Sequence, residues 1–109
     1  MLDTDEIRAL LWKPSTGQRG VTVKALWEDS KDRSTAGLMR LEPGAKVTVH
    51  THRYSVHHVW VTEGSCSVGG KSLGPGAYCF VPAGVQHGID AAGRGGSTLF
   101  YLYLRAEMD

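Results

Sequence analysis

From residue 21 onward, apolar and polar positions alternate in short runs: "VTVKALW" (21–27), "STAGLMRL" (34–41), "AKVTVHTH" (45–52), "VHHVWVTE" (56–63), "SCSV" (65–68), "AYCFVP" (77–82), "HGID" (87–90) and "STLFYLYLR" (97–105). Val, Thr, Tyr, Phe and Trp dominate these runs, and side chains of that shape fit a pleated, half-buried surface. Turn chemistry separates them: "EPG" at 42–44, "EGS" at 63–65, "VGGKS" at 68–72, "GPG" at 74–76, "PAG" at 82–84 and "AGRGGS" at 92–97. Eight or so short strands at this spacing predict an all-β sandwich or barrel, not a βαβ fold. Ahead of them, "TDEIRALLW" has Ile7, Leu10 and Leu11 at helical spacing behind Thr4 or Asp5 as cap, and reads either as a short helix or as an edge strand. The charged stretch "EDSKDR" (28–33) reads as a solvated turn.

The two-residue period of a strand assigns faces. With Val59 and Val61 turned inward, His57 is inward too, while His58, Trp60 and Thr62 face out. The same alternation nominates Met39, Leu41, Val59, Val61 and Phe80 as pocket walls, whose apolar character suits an aromatic or aliphatic ligand. In "TLFYLYLR" it separates Leu99, Tyr101 and Tyr103 from Phe100, Leu102 and Leu104 without saying which set faces the pocket. That strand is apolar on both sides, so its outer face is expected to pack on something. A second subunit is the simplest candidate, giving a homodimer with Trp60 in its interface.

Four of the chain's five histidines fall within "HTHRYSVHH" (50–58). His50 and His52 share a face of one strand as a chelating pair, and "RYSV" is long enough to turn the chain so that His57 joins them from the next strand. His87 follows the turn "VPAGVQH" and offers a fourth nitrogen. Converging neutral imidazoles suit first-row transition metals. A lone strand histidine is ordinarily a surface or hydrogen-bonded core residue, and it is the clustering that points to a metal.

Length and composition narrow the setting. The chain has 109 residues, enough for one hydrophobic core without disulfide or metal staples, and a formal net charge of +1 that leaves no electrostatic footprint for nucleic acid or anionic membrane. No apolar run spans a bilayer and "MLDTDE" lacks a signal-peptide pattern, so a cytoplasmic location is expected. Cys66 and Cys79 have no CxxC spacing and read as reduced, buried, small hydrophobes.

The histidines also sit in two motifs that resemble those of the cupin superfamily, G-x5-H-x-H-x3,4-E-x6-G and G-x5-P-x-G-x2-H-x3-N. Here they read "GAKVTVHTHRYSVHHVWVTEG", from Gly44 to Gly64, and "GAYCFVPAGVQHGIDA", with Gly76, Pro82, Gly84 and His87 in register. Two positions depart from the pattern: His57 stands where the family has glutamate, and Ala91 where it has asparagine. Together with "WKPSTGQRGVTVKALW" upstream, the first motif is similar to the small cupins grouped with dihydroxyacetophenone dioxygenases and ChrR-type cupin domains. The resemblance implies a jelly-roll (double-stranded β-helix) barrel of one domain, 1–109, with its core at about 20–105. It also implies one divalent transition metal per subunit, iron foremost and zinc, nickel or manganese as alternatives, on His50, His52, His57 and His87.

Four neutral imidazoles leave the full charge on such an ion, which favours an enolate-like oxygen ligand. The leading expectation is an Fe(II) dioxygenase cleaving a carbon–carbon bond in an enolisable ketone or diketone. A Lewis-acid cyclase or isomerase and a non-catalytic metal- or ligand-binding module are the alternatives. No general base stands out. Glu63 is the nearest acid but reads more readily as a solvated strand end, and Tyr54, in the loop between His52 and His57, reads equally as a hydrogen-bond donor to substrate or as a half-exposed loop aromatic.

Overall fold

The computed structural model describes residues 1–51, 55–91 and 95–105, with the backbone alone at 48–51 and at 86 and 87. Its elements are a helix α1 (Thr4–Ala9) and strands β1 (Lys13–Pro14), β2 (Val21–Glu28), β3 (Thr35–Leu41), β4 (Lys46–Thr51), β5 (Ser55–Gly64), β6 (Cys66–Val68), β7 (Lys71–Leu73), β8 (Tyr78–Val81), β9 (Gln86–Asp90) and β10 (Ser97–Arg105). They form two antiparallel sheets, one six-stranded in the order β1-β2-β3-β10-β5-β8 and one four-stranded in the order β4-β9-β6-β7. Among the described residues the two sheets are not hydrogen-bonded into a closed barrel.

Each apolar run named above becomes a strand, and the proline–glycine turns close as their chemistry requires. In "EPGA" and "GPGA" the first carbonyl accepts from the fourth amide, Ala45 N–H to Glu42 at 2.9 Å and Ala77 N–H to Gly74 at 3.0 Å. Two elements differ from expectation. The segment "VGGKS" is not all turn: Gly69 and Gly70 both take positive φ, +57° and +84°, and form a two-residue hairpin that launches β7. The N-terminal segment "TDEIRALLW" is the helix of the two alternatives, and the short edge strand β1 follows it at Lys13–Pro14. The helix cap is Asp3 rather than Thr4 or Asp5, because Asp3 Oδ1 accepts from the Glu6 amide at 2.8 Å while the Glu6 carboxylate accepts from the Asp3 amide at 3.3 Å, a reciprocal capping box. The helix buries no residue of its own. What ties the segment down is Lys24, whose ammonium donates to the Ile7 carbonyl at 3.0 Å and lies 4.9 Å above the Trp12 ring, with the Arg40 guanidinium at 4.1 Å.

Between the sheets the inward residues stack in layers set by register. His57 lies opposite both Tyr103 and Val81, Val59 opposite Tyr101 and Cys79, and Val61 opposite Leu99. On the other side of β10, Tyr101 faces Gly37 and Leu99 faces Met39. Leu99 and Ile89 are fully buried and come from the two different sheets, so each removes a whole aliphatic side chain from water, worth about 1.5–3 kcal/mol. Both cysteines are free; Cys66 is buried as expected whereas Cys79 is only half-buried, and desolvation raises the pKa of each thiol. No helix is long and apolar enough to cross a membrane among the described residues.

The chain passes from one sheet to the other at Gly64. Its φ is +69°, and a Cβ there would collide with the Gly96 carbonyl, backbone that cannot yield. Gly64→Ala combines left-handed strain with this collision and is expected to cost about 2 kcal/mol or more, read from the midpoint of urea unfolding. A loss below about 0.5 kcal/mol would show that the corner is not fixed in this way.

Candidate metal centre

Of the four predicted ligands, His57 is the one whose side chain is described. It is 1% exposed, on the inner face of β5, with Val59 and Val61 buried at the next inward positions. His58 takes the outer face, as the pleat requires, and its Nδ1 is hydrogen-bonded to the Tyr78 hydroxyl at 2.7 Å. There it joins Trp60, Tyr78, Phe80 and Phe100 in a cluster of rings, on the face to which the alternation assigned a second subunit.

His50 and His87 are known by backbone position. They are direct register partners in the β4–β9 ladder. From the Val47–Ile89 pair to the His50–His87 pair, β4 advances three residues while β9 advances two. The extra residue is a β-bulge, and it moves position 50 onto the face of the sheet that carries the buried Val47 and Ile89. Without it, strict alternation from Val47 would put position 50 on the opposite face. His52 and Tyr54 lie outside the described residues.

Two chain crossings bring these positions to the end of the sandwich where His57 sits. Between Thr51, next to position 50, and Ser55, two residues before His57, the chain can span at most about 14 Å. Likewise β8 ends at Val81, the register partner of His57, and a tight turn with Val85 N–H to Pro82 O at 3.3 Å leads straight into β9 and position 87. Gly84 supplies the positive φ, +81°, that this turn uses. A divalent transition ion fits what is present: a fully buried imidazole on one sheet, and two histidine positions paired on the facing sheet at the same end.

The other predicted residues separate. Met39, Leu41, Val59 and Val61 are buried, between 1% and 6% exposed, and turned inward as expected, but they belong to the packed core. Phe80 is a correction. It is 46% exposed and pairs with outward His58, and Val81 takes the inward place opposite His57. "YCFV" is apolar at every position, so nothing polar in it marks the outer face. Glu63 is exposed at the opposite end of β5, six residues or about 20 Å along the strand from His57. That removes it from the neighbourhood of the site.

What the sequence left open is settled by β10: Leu99, Tyr101 and Tyr103 are the inner set. The Tyr103 ring stacks on His57, centroids 3.8 Å apart and planes 20° apart, and Tyr101 stacks on Tyr103 at 4.7 Å and 23°. Two phenols therefore stand in the interior beside the imidazole. Burial drives the Tyr103 phenol far above its usual range, with Tyr101 adding to it. Burial also raises Tyr101, with a hydrogen bond from Thr35 opposing and the Glu28 carboxylate reinforcing. Glu28 belongs to the stretch read as a solvated turn; it is the last residue of β2, exposed, with Thr35 as its register partner. The rest of that turn is built by Asp29 and Asp32 carboxylates accepting from the amides of Lys31 and Ser34 at 2.7 and 2.8 Å.

Two packed antiparallel sheets with paired histidine positions at one end define the cupin class of jelly roll. The chain belongs to the ChrR cupin-like domain family, whose model matches residues 3–105. No curated protein matches the chain. Among solved structures it is similar to a predicted oxalate decarboxylase from Thermotoga maritima, with a TM-score of 0.79 at 19% identity over 91% of this chain and 96% of that one. It is similar also to the polyketide cyclase RemF from Streptomyces resistomycificus, with 0.77 at 24% over 98% and 81%. A sugar phosphate isomerase of the cupin superfamily from Silicibacter pomeroyi gives 0.74 at 25% over 97% and 76%.

The raised phenols predict an alkaline limit. Tyr101 and Tyr103 hold their protons in the folded chain at pH values where an unfolded tyrosine, with pKa near about 10, loses them. The unfolded state then binds fewer protons, so stability is complete below that pH and falls as pH rises above it. Ultraviolet titration should show two of the four tyrosines ionising only as the fold is lost, and Tyr103→Phe should lessen the alkaline fall in stability. Ionisation of all four tyrosines as one group near pH 10, with the fold intact, would contradict it.

Proposed function

We propose that this protein is a metal-dependent cupin enzyme that acts on a small enolisable carbonyl compound, with His50, His52, His57 and His87 holding one divalent transition ion. The observation that carries the reading is the fully buried, inward imidazole of His57 at the position where the family pattern has glutamate. The histidine positions paired across β4 and β9 at the same end would complete a donor set with it. When bound, an ion with four neutral ligands supplies strong polarisation of a carbonyl or enolate oxygen, and with iron a place for dioxygen.

The chain's own groups do the rest. The apolar residues next to His57, Val59 and Val81, exclude water from the floor of the site. Tyr103, held neutral by burial and stacked on His57, would offer an O–H donor to a bound substrate, while the Tyr101 hydroxyl is packed against the β3 backbone at Gly37. We favour an Fe(II) dioxygenase cleaving a carbon–carbon bond in such a substrate. A Lewis-acid isomerase or cyclase is the second reading, because polarisation of the same carbonyl oxygen would serve enolisation without dioxygen. The three similar structures carry three different reactions in their names, so the shared fold does not choose among them.

Two measurements test this reading. Elemental analysis of the untagged protein should give about one transition ion per chain, lost in His57→Ala and kept in His58→Ala, because His58 is committed to Tyr78 on the outer face. Equal metal content in both variants would remove His57 from the ligand set. Oxygen uptake by Fe(II)-loaded protein with a panel of 1,2- and 1,3-diketones and hydroxyketones should be substrate-dependent. Turnover of the same panel under strict anaerobiosis with Zn(II) would instead establish the isomerase or cyclase reading.

A further inference from the structure

The replacement of glutamate by His57 poses a geometric problem. A carboxylate offers two equivalent oxygens and can bind an ion over a range of rotations, whereas an imidazole offers one lone pair in the plane of its ring, so the ring must be aimed. Ligating histidines are ordinarily aimed by a hydrogen bond to the second nitrogen. In this chain a flat surface is also pressed against the ring.

Tyr103 is the direct register partner of His57 across β10 and β5, and its ring lies 3.8 Å from the imidazole and within 20° of parallel. Tyr101, the next inward residue of β10, stacks on Tyr103 at 4.7 Å and 23°. The far end of the stack rests on Gly37, where an added Cβ would lie 2.5 Å from the Tyr101 hydroxyl oxygen and 2.5 Å from the backbone carbonyl of Lys24. The two tyrosine rings thus stand between the β3 backbone at Gly37 and the His57 ring of β5, with no slack at the glycine end.

We infer that Tyr103, backed by Tyr101 and Gly37, is a positioning residue that fixes the plane of His57 and so makes an imidazole serviceable at a glutamate position. The inference rests on the metal-centre reading above and deepens it. It is the ring face of Tyr103 that acts, not its hydroxyl. Tyr103→Phe should therefore preserve the effect and Tyr103→Leu should abolish it.

The test uses the full chain with Zn(II) and Co(II) alone as probes and a chelator as competitor. Tyr103→Phe is expected to bind within about threefold of wild type. Tyr103→Leu should bind about tenfold or more weakly, the usual scale for losing a group that orients a ligand, with an altered visible spectrum for Co(II). In a His57→Glu background the same Tyr103→Leu change should alter affinity by less than about threefold, because a carboxylate does not need aiming. Equal losses in both backgrounds would show that Tyr103 acts through general stability and would overturn the inference, as would a Tyr103→Leu variant that matches wild type. Binding of neither ion by the wild-type protein would overturn the metal-centre reading and this inference together.

A second measurement serves if Tyr103→Leu does not fold. In wild type and in Tyr103→Phe, the carbon-bound ring protons of His57 should resonate upfield of their usual positions, shifted by the adjacent ring current. Ordinary positions for those protons would dispose of the stack.

Discussion

The pleat of β5 governs the site. Successive side chains must point to opposite faces, so once Val59 and Val61 are drawn between the sheets, His57 goes in with them and His58 cannot follow. The two adjacent histidines consequently have opposite fates. One becomes a fully buried ring stacked on Tyr103, and the other pairs with the Tyr78 hydroxyl on the outer face. The apolar energy that sets this phase is large compared with the preference of any single histidine. Burying Val59 and Val61 alone contributes about 1.5–3 kcal/mol each.

Because the phase is set by hydrophobic alternation, much of it was legible in the sequence. The strands of "VTVKALW", "STAGLMRL" and "STLFYLYLR", the inward turn of His57, and the proline–glycine turns at 42–45 and 74–77 all follow from periodicities of two and from residues with restricted φ. The faces could be read wherever polar residues mark one side of a strand. Where a strand is apolar throughout they could not, and Phe80 is the instance: "YCFV" fits either phase, and its register with β5 decides for the outside. β10 is the same case with a longer strand, and there the inner set carries the two tyrosines that complete the site.

The bulge in β4 was illegible for a different reason. Nothing in "KVTVHT" announces an extra residue, and strict alternation from buried Val47 would send position 50 to the outer face. The spacing of His50 and His52 pairs them in the sequence without reference to the irregularity, which lies between Val47 and His50. Their relation to Val47 cannot be read that way. β7 was missed because three residues carry no period, although the Gly-Gly hairpin that starts it was visible as turn chemistry. The cap at Asp3 turned on a reciprocal bond to Glu6, a pattern of spacing that the sequence held but that competes with two neighbouring candidates.

The exchange of glutamate for His57 and the two buried phenols are parts of one arrangement. A carboxylate at that position would bring a negative charge to a wall made by Tyr103, Val81 and Val59, and the low polarity of that wall would oppose it. A neutral imidazole avoids that cost and gains a flat partner. Tyr101 and Tyr103 stay neutral, burial being the main cause for each, and the Glu28 carboxylate, exposed at the end of β2, adds to the shift of Tyr101. An interior built from neutral donors has an unbalanced preference for negative oxygen. That preference is the electrostatic reason for proposing an enolisable carbonyl compound as the substrate of this site.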